Sequence, residues 1–320
     1  MRRLGWAAAV AAVIAGIVAA QATPETAART RVYLTFVSHN ETSSTNEPCR
    51  WLSADPGRFA ANRAATVALA QLIASRGGAY DLQTDWEYML RVVASEDDAM
   101  RASTGGMNLL QYLASFAPGR VTVDAHSHES SGYNYADIAF MVEYLTGRPS
   151  TGIVGGFTAA PAISADWERF RQPLSGRRYP QYSWQPVALW GGGSAGHRQD
   201  ANAAGIWRPA SHQDFYTDDP AQSLVNIGNY SFGSLEPSGA IDLVSRLQAG
   251  TLEPGRLYSA SLMLPHCEYD VNAAVLPYVT AVLDAAAPLV ASGDIVWATL
   301  PDVVEAWRTE YDSLPVVLRP

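Results

Sequence analysis

His126 and His128 stand one residue apart in VTVDAHSHESSG, where a valine-rich run gives way to small polar residues. In an extended chain residues two apart share a face, so Asp124, His126 and His128 can point together. Two imidazoles held this way are good ligands for a divalent ion, zinc above all, and a third donor from another strand would still leave room for water. The same pair in a polar loop makes ordinary hydrogen bonds, so the spacing alone leaves both readings open. The company of the pair favours the metal. Of six histidines in the chain, His39 follows the apolar run Val32–Val37, His126 and His128 follow Val121–Ala125, and His266 follows Leu257–Leu264. Asp85 follows Ala79–Thr84. If these runs are parallel strands, all five side chains converge on one rim.

That set has a definite chemistry. An ion held by His126, His128 and one of His39 or Asp85 would make water acidic enough to attack an ester or amide carbonyl. Asp85 or Glu41 could take up the proton, and His266 could protonate the leaving group. Asp85 is equally well placed to cap a helix beginning at Trp86. Glu41 and Glu129 read as solvated loop acids, His197 in GGGSAGHRQD as part of a lid, and His212 as a surface residue.

The elements that must position these residues alternate. Strands are expected at Val32–Val37, Ala79–Thr84, Val121–Ala125, Ile153–Phe157, Leu257–Leu264 and Ile295–Thr299, with short ones at Tyr182–Trp184, Ile206–Trp207 and Val225–Ile227. Helices are expected at Arg58–Ser75, Met107–Phe116, Asn134–Leu145, Ala240–Gln248, Val271–Ala291 and Asp302–Tyr311, from their apolar spacing and their end signals. Alternation at this length predicts an α/β chain with a parallel sheet, doubly wound or closed into a barrel. In a barrel of parallel strands, the C-terminal strand ends form the functional face. No glycine-rich phosphate loop follows any strand, which disfavours nucleotide binding. There is no fixed-period repeat, so residues 23–320 read as a single domain.

Residues 1–22 are set apart. Arg2 and Arg3 precede an apolar run from Leu4 to Ala20, and small residues follow at cleavage-site spacing, so the segment reads as a secretory signal peptide. The expected location is periplasmic or extracellular, with no membrane attachment after cleavage. A net charge of −9 makes nucleic acid an unfavourable partner. Every basic residue is arginine, which excludes Schiff-base chemistry and carbamylated-lysine metal bridges. Export would place Cys49 and Cys267 where a disulfide can form, provided the fold brings their Cα atoms within roughly 7 Å.

The order of several short motifs resembles a known family. A first strand carrying Thr35-Phe36, a His126-Ser127 segment after a middle strand, LMLPH at 262–266 and IVWATLPDVVEAW at 295–307 are similar to the polysaccharide deacetylase-like proteins of the glycoside hydrolase/deacetylase superfamily. The resemblance implies an incomplete (β/α) barrel, commonly of seven strands, and a divalent metal held by two histidines and an aspartate that hydrolyses N- or O-acetyl groups on sugars. It maps the family's late histidine onto His266. The chain departs from the pattern at Val37 and Ser38, where the family carries adjacent aspartates, and at Ser130, where its second histidine stands.

Trp184, Trp190 and Trp207, with Tyr179, Tyr182 and Tyr230, crowd a Gly/Pro-rich middle region from 161 to 237. Aromatic faces suit sugar rings and also fill cores; as a cluster in long loops, Trp184, Trp190, Trp207 and Tyr182 are expected to line a carbohydrate cleft. Arg177 and Arg178 could meet an acidic sugar or stay solvated. The leading expectation is a secreted, metal-dependent carbohydrate deacetylase. A glycoside hydrolase using Asp85 with Glu129 or Asp270 stands second, and a noncatalytic carbohydrate-binding protein third.

Overall fold

The computed structural model describes residues 29–41, 55–116, 118–127, 129, 131–157, 167–193, 200, 203–228 and 238–319. The expected signal segment, Cys49, His128, His197 and Tyr230 lie outside them. Among the described residues, no helix is long and apolar enough to cross a membrane.

The central strand is β1, Arg31–Asn40, and every residue after Arg31 is buried. Its alternation serves two cores. Val32, Leu34 and Phe36 pack outward with residues of the surrounding helices, whereas Tyr33 and Val37 face inward with Ile153, Ala188, Trp190, Ile227 and Leu257 from other strands. A strand buried on both faces between parallel neighbours is the pattern of a barrel wall.

Ten further strands follow: β2 Tyr80–Thr84, β3 Val121–His126, β4 Ile153–Phe157, β5 Leu174–Ser175, β6 Ser183–Trp184, β7 Ala188–Gly192, β8 Ile206–Trp207, β9 Val225–Ile227, β10 Leu257–Met263 and β11 Ile295–Trp297. The main sheet runs β10-β1-β2-β3-β4-β7-β9-β8, and β11 also pairs with β1. From β10 to β9 all neighbours are parallel, and β8 turns back antiparallel to β9. The fold is therefore an incomplete (β/α) barrel with seven parallel strands along its continuous wall.

Among the described residues, no backbone ladder joins β10 to β8 or β9. Ser259 on β10 makes the link instead: its hydroxyl accepts from the Gly205 N–H at 3.2 Å and lies 2.9 Å from the carbonyls of Gly205 and Gly228. Gly205 takes φ +107, and a Cβ there would meet the Val316 carbonyl oxygen at 2.4 Å, so the closure requires glycine.

Helices Pro56–Ser75, Trp86–Ser95, Leu109–Ala114, Tyr135–Thr146, Ser238–Gln248, Val275–Ala291 and Leu300–Thr309 supply the outer layer. The first begins where Asp55 accepts from Gly57 N–H and Pro56 sits in the first turn. Tyr135–Thr146 opens with a reciprocal cap between Asn134 and Asp137 and ends at Gly147, φ 69. The helix Trp86–Ser95 begins where the capping reading of Asp85 put it, whereas β7 was not expected as a strand.

Candidate functional site

Three strands deliver their histidines to one place. His39 near the end of β1 and His126 at the end of β3 stack with ring centroids 4.0 Å apart and planes at 14°. Trp190 on β7 presents its edge to His39 at 5.7 Å. Both histidines are almost fully buried. His126 Nδ1 lies 3.1 Å from the Gly155 carbonyl, which also accepts from the Tyr135 hydroxyl at 2.6 Å. That contact assigns the proton to Nδ1 and leaves Nε2 as the outward-facing nitrogen. Glu41 Oε2 stands 3.5 Å from this Nε2.

His266 completes the group through Glu41. The Glu41 backbone N–H donates to His266 Nε2 at 2.9 Å, and the Glu41 carbonyl lies equally near. The Asn62 side chain donates to the His266 carbonyl at 2.7 Å, and Tyr88 meets the ring edge-on. Burial, offset in part by the Glu41 contacts, lowers the imidazole pKa to about 4, so it is neutral near pH 7. His266 thus grips the backbone of Glu41, and the Glu41 carboxylate reaches His126. Glu41, expected as a solvated loop acid, joins the site instead.

Two groups able to donate to a cation meet at this point. His126 Nε2 faces a Glu41 carboxylate oxygen at 3.5 Å. Either a proton or a cation between them relieves that opposition. The Gly155 carbonyl orients the ring from behind, as outer-shell acceptors do for metal-binding histidines. Among the described residues no three His, Cys, Asp or Glu side chains form a complete metal-binding group, and His128 lies outside them.

Asp85 accepts from Tyr88 N–H at 2.7 Å and caps the helix Trp86–Ser95, with its side chain buried. The aromatic residues are not where the sequence put them. Trp190 and Trp207 are wholly buried, donating to Ser261 Oγ at 3.0 Å and to the Phe215 carbonyl at 2.6 Å. Trp184 is 5% exposed, donates to Ser150 and stacks on Tyr135. Half-buried Tyr182 packs edge-on against Phe140. These rings fill the core because their large apolar area outweighs the loop context that suggested a cleft. The aromatic group found beside the rim is another one: Trp86, immediately after Asp85, stacks on Tyr133 at 5.3 Å, with Tyr179 tilted against it at 6.3 Å.

The other acids expected as solvated or catalytic are committed to arginines. Glu129 is buried, pairs with both guanidinium nitrogens of Arg169, lies 3.6 Å from Arg177 and accepts from Tyr135 N–H. Asp270 forms a two-point pair with Arg58 at 2.9 and 3.1 Å. A two-carboxylate glycosidase mechanism from Asp85, Glu129 and Asp270 would need acids already engaged in capping or ion pairing. His212, expected at the surface, is half-buried, with Nδ1 3.1 Å from the Gly193 carbonyl.

Sequence reading also passed over polar residues inside the barrel. Asp81, Gln83 and Asp124 project inward from β2 and β3 and are fully buried. Thr122 donates to Asp81 at 3.0 Å and Thr151 to Asp124. Burial pushes both carboxyls upward, Asp124 further because Asp81 is its neighbour. The signal was the period-two spacing of Asp and Gln in YDLQT. The Cys267 sulfur is disulfide-bonded; Cys49, the other cysteine of the chain, lies outside the described residues.

No family model matches the chain, and no curated protein matches it. It is similar to two solved structures assigned by name as polysaccharide deacetylases. One is from Mycobacterium smegmatis, at 12% identity and TM-score 0.46, with 93% of this chain and 96% of that chain covered. The other is from Pseudomonas aeruginosa PAO1, at 11% identity and TM-score 0.47, with 88% and 92% covered.

Proposed function

We propose that the protein is a metal-dependent hydrolase that removes acetyl groups from carbohydrate. The observation that carries this reading is the convergence of His39, Glu41, His126 and His266 at the C-terminal strand ends of the barrel. The order of the TF, His-Ser and LMLPH motifs supports the same reading. His126 and His39, with His128 two residues past His126 in sequence, are the residues that would hold the ion, zinc being the best match to imidazole donors. When bound, it would supply Lewis acidity to the acetyl carbonyl and to the attacking water.

The chain's own residues do the rest. Glu41 takes the proton from water, since its carboxylate stands 3.5 Å from His126 Nε2. His266, read from sequence as proton donor to the leaving group, is given a positioning role: neutral and buried, it fixes the Glu41 backbone. Trp190 closes the floor behind His39 and excludes water from that side. Asp85 holds the helix that carries Trp86 to the rim. We place the protein in the periplasm or outside the cell, a reading supported by the N-terminal sequence and by the bonded Cys267, since disulfides persist in oxidising compartments.

The test is acetate release from O- and N-acetylated oligosaccharides, with elemental analysis of protein purified without chelator. About one divalent ion per chain and chelator-sensitive acetate release are expected, with both lost in His126→Ala. New reducing ends without acetate would instead establish a glycoside hydrolase. Sugar binding with no product at all would establish a binding protein.

A further inference from the structure

Arg178 occupies an unusual position beside the rim. It sits on a turn whose backbone is fixed from below: the buried Asp137 carboxylate accepts from the N–H groups of Arg177, Arg178 and Tyr179, each at 2.9 Å, and from Asn134 N–H at the same distance. Gly176 closes the turn, since a Cβ there would come within 2.5 Å of the Asp137 carboxylate. The turn is therefore held in one geometry before any ligand arrives.

From this base the Arg178 guanidinium reaches over Trp86, 5.4 Å from the ring centroid. The residue is exposed. The two neighbouring arginines differ in their engagements: Arg177 lies 3.6 Å from the buried Glu129, while Arg178 has no carboxylate partner among the described residues. That is notable in a chain with 31 acids and 22 arginines. A guanidinium within cation-π reach of an indole keeps a planar N–H fork, which is matched to a carboxylate or phosphate. Trp86 follows Asp85 at the end of β2, and Glu129 is three residues past His126 at the end of β3, so the fork belongs to the same rim as the histidines.

We propose that Arg178, set over the Trp86 ring and held by the Asp137-pinned turn, is a specificity residue that binds an anionic group, a carboxylate or phosphate, on the carbohydrate substrate. The proposal rests on the hydrolase reading for its catalytic consequence. Its recognition step stands without it, because charge and geometry act on binding whether or not acetate is released.

The experiment compares wild type, Arg178→Ala and Arg178→Lys on three sets of acetylated oligosaccharides: neutral, uronate-bearing and phosphate-bearing. The ratio of kcat/KM for an anionic substrate to that for the neutral one is expected to fall about tenfold or more in Arg178→Ala, mainly through KM, and by less in Arg178→Lys, which keeps the charge but not the planar fork. Salt should erode the same ratio in wild type. The anion whose ratio falls identifies the natural group. An unchanged ratio for both anions overturns the proposal, as does equal loss on all three substrates. If no substrate releases acetate, the hydrolase reading fails alone. Calorimetric binding of the same oligosaccharides then decides the matter: a tenfold loss of affinity for the anionic ligands in Arg178→Ala sustains the proposal, and equal affinity ends it.

Discussion

His126 owes its orientation to two glycines on the neighbouring strand. Gly155 leaves its carbonyl open to Nδ1 and makes room for the Gln83 side chain, whose carboxamide oxygen would be 1.9 Å from a Cβ. Gly156 has φ +99, and a Cβ there would lie 2.7 Å from two atoms of the His126 ring. Gly156→Ala therefore carries a backbone penalty of about 1–3 kcal/mol and must also push the imidazole from its seat. Metal affinity and acetate release should fall together, with a modest drop in melting temperature measured by calorimetry; wild-type metal affinity in a folded variant would separate the ring's position from its function. His266 can be tested by the same division. If it positions Glu41, His266→Ala should lower kcat by about 10²-fold or more while retaining the ion, and His266→Asn, which can still accept from the Glu41 N–H, should recover part of the loss. A proton donor would show no such recovery, and its loss would remove the alkaline limb of the kcat profile.

Between residue and barrel, the turn after β5 depends on a single carboxylate from the helix Tyr135–Thr146. Asp137 accepts four backbone N–H groups, and Asp137→Ala would strand several of them at roughly 1–3 kcal/mol per buried donor. A loss of about 2–5 kcal/mol in denaturant unfolding is expected, with Asp137→Asn intermediate because it keeps one acceptor oxygen. The helix itself was legible from Asn134 and its apolar spacing, as were β1 and β3 from their β-branched and aromatic runs and β10 from the extended run that ends at Pro265. β7 was not, because ALWGG has glycines where alternation should show. The roles of Asp137 and of the Glu41–His266 contact were also hidden, the latter because its partners are 225 positions apart. Sequence placed His39, His126 and His266 on one rim through the parallel-strand rule. It misplaced the aromatic residues, because volume and loop composition do not say which rings the core will absorb.

At the scale of the whole molecule, the barrel interior is not uniformly apolar. Beneath the histidines, Asp81 and Asp124 face each other from adjacent strands, with Thr122 and Thr151 donating to them and no lysine anywhere in the chain to balance them. Two carboxylates in a medium of low polarity cannot both ionise cheaply, so the pair retains a proton well above the usual carboxylate range. Burial raises Asp81 from 3.8 to about 6. A carboxyl whose pKa is higher folded than unfolded stabilises the fold fully below the unfolded value and loses that contribution as pH rises through the folded value. The window therefore runs from about pH 4 to pH 6 and above. Asp81→Asn replaces the ionisable partner with a neutral one of the same shape and also relieves Asp124. Chemical unfolding of both proteins between pH 4 and pH 8 should show wild type losing stability relative to the variant as pH rises, with the difference levelling off once the pair has ionised. Parallel curves across that range would mean that the proton is not held between these two strands, and that the barrel tolerates the charge by another route.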